Sequence, residues 1–422
     1  MKAMGADVAP PAGSGRAVRT SRPRVALLGA YDRFNYGDLL FPLITQHELA
    51  ARGLDVEVRA FSLRRADLSR FGAVPSHALR QLYDGSYLRS GDVCIVNGGG
   101  TLGVDWGHIL MDTLSPQGAS ALYRCERLIG RSRMDRLIRW HFGGRSCTPF
   151  IPTPADFGGG VRVVYNASGG SEIQALPAAL REKAYAALGA CQYLSVRDRK
   201  VRDLLEPQAP PDGIWLAPDS AVLMSEHFPP DSLQRTARQA LLDKLTPGYF
   251  CVQANLDFGA PHLHALRDFC ESIHAETGLR PLLLPIGRYT GLDDHVFLDR
   301  LGGLLRIPHQ RCPDDASIAE IMLCIARSSL FLGSSLHGNI TAQSFAVPHL
   351  GLNPKSTKLA AYLETWDIAV HQRCVDLSQL DDAAQRVKAA LAAPQSSRDT
   401  KRDELVQAAR QNYDRLFAAA LG

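Results

Sequence analysis

No stretch of the chain reaches the roughly 20 consecutive apolar residues that a membrane-spanning helix needs, so an integral membrane class is not expected. The nine cysteines contain no Cys-x-x-Cys pair and no even framework. Several, such as Cys94 and Cys251, sit inside apolar runs. That usage fits buried free thiols in a reducing compartment better than disulfides or metal ligands. Residues 1–23 are rich in Ala, Gly, Pro and Arg and have no apolar core. They read as a disordered tail and not as a secretory signal, so a cytoplasmic location is expected. A net charge of +4 is small for 422 residues. Nucleic-acid binding needs clustered cations, and only one cluster is present, so no nucleic-acid partner is expected.

At 45% hydrophobic and 21% charged the chain has a globular composition. Its length exceeds the roughly 250–300 residues at which one hydrophobic core stops growing, so two domains are expected. Short apolar runs alternate with helical patterns. Strands are expected over 24–30, 55–61, 92–97, 161–166, 192–196 and 214–217, with a helix over 39–52 stopped by Gly53. After a crossover at 228–247 a second series begins, with strands over 249–254, 282–286, 330–333 and 348–352. Helices are expected over 260–277, 317–328, 338–345 and 397–421. Strands alternating with helices imply parallel sheets covered on both faces. The expected fold is therefore α/β and GT-B-like: an N-terminal Rossmann-like domain (24–227), a C-terminal one (248–395), a terminal helix (397–421), and a cleft between the domains. Ligands in such folds bind beyond the carboxyl ends of the strands.

Four motifs fall at those ends. Asn35-Tyr36-Gly37-Asp38 follows the first strand and opens a helix. Gly37 permits a tight turn there, the helix amides can receive an anion, and Asp38 can cap the helix or position a proton. Gly98-Gly99-Gly100 ends a buried strand and exposes amides to a ligand, and it lacks the Lys of a Walker A loop. Ser195-Val196-Arg197-Asp198 places a guanidinium at a strand end, suited to gripping a carboxylate or phosphate or to pairing with Asp198 or Asp219. Gly333-Ser334-Ser335-Leu336-His337-Gly338 sets a histidine between glycines and hydroxyls, where it can transfer protons near neutral pH. Lys355 and Lys358 follow the next strand as phosphate-binding or solvated cations. Asp219, Arg288 and the trio Asp293, Asp294 and His295 also stand at strand ends, either lining the cleft or in an exposed polar loop. That trio has no convincing metal-ligand set around it.

In this order the four motifs resemble the polysaccharide pyruvyl transferase family over about residues 24–370. The resemblance implies phosphoenolpyruvate as a donor co-substrate, no cofactor, and transfer of pyruvate as a ketal to a sugar of a surface polysaccharide or its precursor. It implies His337 as catalytic histidine and Arg197 as donor-anion ligand. Much of the family carries Arg where Ser335 stands here.

Ketal transfer needs a cationic pocket for the donor, an acid, and a base for two sugar hydroxyls. Donor contacts are assigned to Arg197, Gly98, Gly99, Gly100, Ser334, Ser335, Gly338 and Lys358. His337 is the acid or phosphate-side proton donor and Asp38 the base. Asn35, Asp219 and Arg288 are placed on the acceptor side, and no metal is required. The basic segment 122–145 reads as a basic amphipathic helix, with an apolar stripe at helical spacing (Leu122, Cys125, Leu128, Ile129, Met134, Leu137, Ile138, His141) surrounded by six arginines. It can lie on an anionic membrane, as a lipid-linked acceptor would ask, or pack on the sheet. The competing functions are a sugar-nucleotide glycosyltransferase on the same fold and a non-catalytic glycan-binding protein.

Overall fold

The computed structural model describes residues 22–111, 114–289 and 291–422; most of the expected N-terminal tail lies outside them. The first half carries seven parallel strands: β1 (Arg24–Leu28), β2 (Glu57–Ser62), β3 (Ser76–Ala78), β4 (Val93–Asn97), β5 (Arg162–Ser168), β6 (Tyr193–Val196) and β7 (Trp215–Leu216). Their spatial order is β3-β2-β1-β4-β5-β6-β7. The second half carries β8 (Tyr249–Gln253), β9 (Arg280–Leu283), β10 (Gln310–Arg311), β11 (Phe331–Gly333) and β12 (His349–Gly351). Their order is β10-β9-β8-β11-β12, again all parallel. β4 and β8 are buried along their whole length, which is why they read in the sequence as continuous apolar runs.

Each sheet is wound outward in both directions from a central pair, β1/β4 in the first and β8/β11 in the second. Where winding reverses, the connections leave the two strands on opposite faces and open a crevice at the carboxyl ends. The two crevices meet. Tyr36 N–H donates to the Ile286 carbonyl (3.1 Å) and Arg288 N–H to the Phe34 carbonyl (3.1 Å), with Asn35 and Gly287 paired as an antiparallel bridge. This clasp joins the loop after β1 to the loop after β9. Nearby, the Tyr36 hydroxyl meets Thr341 Oγ1 at 2.9 Å.

The last helix, Gln395–Leu421, returns to the first sheet. A buried polar ladder fixes it there. Asn412 Nδ2 donates to Asn166 Oδ1 (2.7 Å), Asn166 Nδ2 to Asn97 Oδ1 (3.1 Å), and Asn97 Nδ2 to Thr45 Oγ1 (3.1 Å). The Tyr193 hydroxyl donates to Asn412 Oδ1 at 2.8 Å. A fully satisfied buried network specifies one docking register.

Two expectations are corrected here. The first helix spans Tyr36–Ala51, so its N-cap is Asn35 and Asp38 lies inside its first turn. Gly37 is likewise helical and not part of a tight turn. The basic segment is two helices, Pro116–Ile129 and Arg131–His141, broken at Gly130 with φ +84°. Strands β3 and β10 were not expected; both are short and end their sheets.

Asn412→Ala would remove the buried partner of Asn166 Oδ1 and of the Tyr193 hydroxyl, at a cost of about 1–3 kcal/mol. Thermal denaturation is expected to show a lowered midpoint, whereas Ala substitution of exposed Lys388 should leave it unchanged within error.

Candidate active site

At the meeting of the two crevices lies a cavity of about 290 Å³. The β1/β4 side supplies Asn35, Asp38, Gly99 and Gly100, and the β8/β11 side supplies Gln253, Asn255, Ser334, Ser335 and His337. Arg197 enters from the end of β6, Asp294 from the start of the helix Asp294–Leu304 that follows β9, and Ser356 and Lys358 from beyond β12. The helices Tyr36–Ala51 and Leu336–Ser344 both start in this wall. Their amino ends add positive potential where an anion would sit.

Arg197, Asp219 and His337 form the core of the site. Arg197 is 1% exposed, and Asp219 behind it is fully buried. Arg197 Nη1 donates to Asp219 Oδ2 at 3.2 Å. His337 Nε2 lies 3.6 Å from the same oxygen, too far for a hydrogen bond, and has no other partner. Burial pushes the Asp219 carboxyl up, but the facing His337 imidazole and the Arg197 guanidinium outweigh it and hold the group below the usual carboxylate range. Asp219 is therefore an anion at neutral pH that orients two groups from different halves. The Arg197 backbone is fixed as well, since Trp366 Nε1 donates to its carbonyl at 2.6 Å.

Two glycines make room for this cluster. A Cβ on Gly37 would sit 1.9 Å from His337 Nδ1, and one on Gly169 would sit 2.5 Å from Arg197 Nε. Real Cβ contacts do not come this close, so the imidazole packs directly on the first turn of the first helix. Phe41 closes the other side of the His337 ring, edge to face, at a centroid distance of 5.4 Å.

Asp294, which the sequence leaves between the cleft and an exposed polar loop, is fully buried in this cavity's wall. Its Oδ2 accepts from Gln253 Nε2 (2.9 Å), Ile286 N–H (3.0 Å) and Gly287 N–H (3.0 Å), while Oδ1 has no partner. Burial pushes its carboxyl up to about 7, against the downward pull of those three hydrogen bonds. Gln253 Oε1 in turn accepts from Ser335 N–H at 2.8 Å, linking Asp294 to the histidine loop. Ser335 is the N-cap of the helix Leu336–Ser344, its Oγ accepting from Gly338 N–H at 3.3 Å.

Of the residues expected in the site, Asn35, Asp38, Gly99, Gly100, Arg197, Ser334, Ser335, His337 and Lys358 line the cavity. Asp38 accepts from Asn35 Nδ2 at 2.7 Å. Gly98 lies beneath, against the Phe41 ring, and Gly338 packs on Phe331. Asp219 stands behind the wall. Arg288 is on the other side of the clasp, in a larger hollow of about 790 Å³ shared with Phe34, Phe71 and His295. Its guanidinium covers the Phe34 ring at 3.5 Å and donates to the Ala316 carbonyl at 3.2 Å.

Among the described residues one group could hold a metal by ligand type: His349, Asp367 and His371, all buried, with ligand atoms within 4.8 Å of one another. It lies outside the cavity. Asp367 accepts from His349 Nε2 at 2.7 Å and faces His371 Nδ1 at 3.3 Å, so the carboxylate already has two partners. Arg398 and Lys401 border the same small hollow and disfavour a divalent cation.

Among solved structures the chain is similar to the UDP-GlcNAc 2-epimerase from Methanocaldococcus jannaschii, with a TM-score of 0.55 and 9% identity, over 94% of this chain and 100% of that one. It is also similar to the UDP-GlcNAc 2-epimerase from Neisseria meningitidis bound to UDP-GlcNAc, with a TM-score of 0.52 and 10% identity, over 94% and 99% of the two chains. At such identity the likeness is one of fold, and that fold is the GT-B type, with two Rossmann-like units. No curated protein matches the chain. The model of one family, polysaccharide pyruvyl transferase, matches residues 35–356 and so takes in the cavity residues from Asn35 to Ser356. The chain belongs to the polysaccharide pyruvyl transferase family, a family of transferases.

Proposed function

We propose that this protein transfers pyruvate from phosphoenolpyruvate, as a ketal, onto two hydroxyls of a sugar in a surface polysaccharide or its precursor. The observation that carries this reading is the buried Arg197–Asp219–His337 cluster at the meeting of two helix amino ends. A small cavity with Arg197, Lys358 and the Gly99 and Gly100 loop in its wall suits a compact donor bearing a carboxylate and a phosphate. A lipid-linked precursor is an acceptor of the stated class, presented at the cytoplasmic face of a membrane.

In this reading the C3 methylene of the donor gains a proton and C2 becomes electrophilic. One sugar hydroxyl adds to C2, the C2–O bond to phosphate breaks with its electron pair, and the second hydroxyl adds to C2. Two O–H protons are released; one balances the new C3–H bond and the other leaves with inorganic phosphate. Asp294, neutral up to about pH 7, is the acid toward C3. His337 serves the phosphate side, and Asp38, held by Asn35, accepts a proton from the sugar. Arg197 neutralises the donor anion, with Asp219 fixing its place. No step calls for a metal or a cofactor.

A second reading, a sugar-nucleotide enzyme, draws on the fold alone. The Neisseria meningitidis relative is bound to UDP-GlcNAc, and fold does not determine chemistry.

A thermal shift measurement separates the two. Phosphoenolpyruvate at a hundredfold excess over its Kd is expected to stabilise the protein by about 2.7 kcal/mol. UDP-GlcNAc is expected to give no shift, and the opposite pattern would reject the donor assignment. His337→Ala is expected to lower acceptor-dependent phosphate release by at least about 100-fold.

With Asp294 as acid, kcat/KM should fall tenfold per pH unit above about 7. Asp294→Asn keeps the three hydrogen bonds but cannot supply a proton. It is expected to retain donor binding while losing turnover and that limb of the pH profile. Unchanged turnover in the variant would remove Asp294 from proton transfer.

A further inference from the structure

Five large hydrophobic side chains are prominently exposed among the described residues, and four of them lie in one place. Tyr123 (57% exposed), Leu128 (84%), Leu137 (54%) and Trp140 (78%) belong to the helix pair Pro116–Ile129 and Arg131–His141. The pair is anchored from beneath, where Met134 and Ile138 are buried in the first half's core. Arg131 pairs with Asp105, which fixes the start of the second helix. What remains outward is apolar and basic together.

Five arginines are concentrated on this surface without a carboxylate partner among the described residues. Arg52, Arg238, Arg311 and Arg402 each meet two or more carboxylates. Arg124, Arg127, Arg133, Arg136 and Arg139 have no ion pair among the described residues. Arg136 and Arg139 line a hollow of about 390 Å³ together with Arg131, Arg145, Lys183 and one carboxylate, Asp135, with Trp106 and Leu180 among its apolar lining. A basic hollow with apolar lining, beside exposed Leu and Trp, matches a phosphate head group with its acyl chains alongside. Interfacial Trp and Tyr sit at that same depth of a bilayer.

We propose that the face formed by Pro116–Ile129 and Arg131–His141 docks on an anionic membrane surface. The Arg136/Arg139/Arg145/Lys183 hollow seats a phosphate-bearing lipid head group. This assignment does not depend on the pyruvyl-transfer reading, though it would bring the enzyme to a lipid-linked acceptor. Charge decides among occupants. In a two-fold dimer the same patch faces itself, which here would set unpaired arginines against arginines. A nucleic acid would satisfy the arginines but leave Leu128, Leu137 and Trp140 facing phosphate and water. An anionic bilayer satisfies both sets.

The test is co-flotation of the full chain with vesicles of pure phosphatidylcholine or of phosphatidylcholine with phosphatidylglycerol. Binding is expected only to the anionic vesicles, with the emission of Trp140 shifting to the blue and the shift absent in Trp140→Phe. Each basic residue near such a surface contributes about fivefold to partitioning, so Arg136→Gln/Arg139→Gln is expected to weaken it about 25-fold. The melting temperature should not change, because both side chains lie outside the core. Inorganic phosphate at millimolar concentration should not release the protein. Equal partition to both vesicle types would overturn the proposal, as would binding unaffected by the double substitution. So would a protein that floats with neither vesicle but sediments as a dimer disrupted by that substitution, which would assign the face to a second copy of the chain.

Discussion

One buried carboxylate, Asp219, ties the two halves of the molecule together at their functional edge. It receives Arg197 from the end of β6 and faces His337 from the end of β11. A guanidinium with 1% exposure is costly to bury without a charged partner. The imidazole beside it is held in place by the first turn of the first helix at Gly37 and by the Phe41 ring. Removing Arg197 or Asp219 leaves the other's charge buried, so the cavity's shape and charge rest on the same few contacts. The two glycines that admit the cluster, Gly37 and Gly169, and the Trp366 bond to the Arg197 carbonyl belong to the same constraint.

Much of this was legible in the sequence because buried parallel strands read as apolar runs and their ends carry the unusual residues. The switch from β1 to β4 and from β8 to β11 then brings Asn35, Gly99, Ser334 and His337 to one place. Three things were not legible. Asp294 reads as one acid of a polar loop; its burial and its unpartnered oxygen arise only when Gln253 and the amides of Ile286 and Gly287 close on it. Arg288 is two residues from Ile286 in the chain, yet the clasp with Phe34 turns it into the neighbouring hollow. The amphipathic stripe at 122–145 suggested one helix, and the left-handed Gly130 breaks it, leaving Leu128 and Leu137 outside while Met134 and Ile138 turn in.

Position 335 shows how a local role can replace a charged one. At the position where the family resemblance implies Arg in many relatives, Ser335 caps a helix and presents its amide to Gln253. The positive potential needed for an anion then comes from Arg197, Lys358 and the helix ends. The same division holds across the molecule. Arg238 and Arg311 pair with carboxylates, as does Arg131 at the base of the outer helix pair, whereas Arg124, Arg127, Arg133, Arg136 and Arg139 on that pair have no ion pair among the described residues.

In the proposed function the cavity between the two sheets holds an anionic three-carbon donor against Arg197 and His337. The most direct test is the crystal structure of the protein soaked with phosphoenolpyruvate. Density for the donor within hydrogen-bond distance of Arg197, with its phosphate toward His337 and the start of the helix Leu336–Ser344, is the predicted result. A donor bound only in the larger hollow beside Arg288, or an empty cavity at saturating concentration, would contradict it.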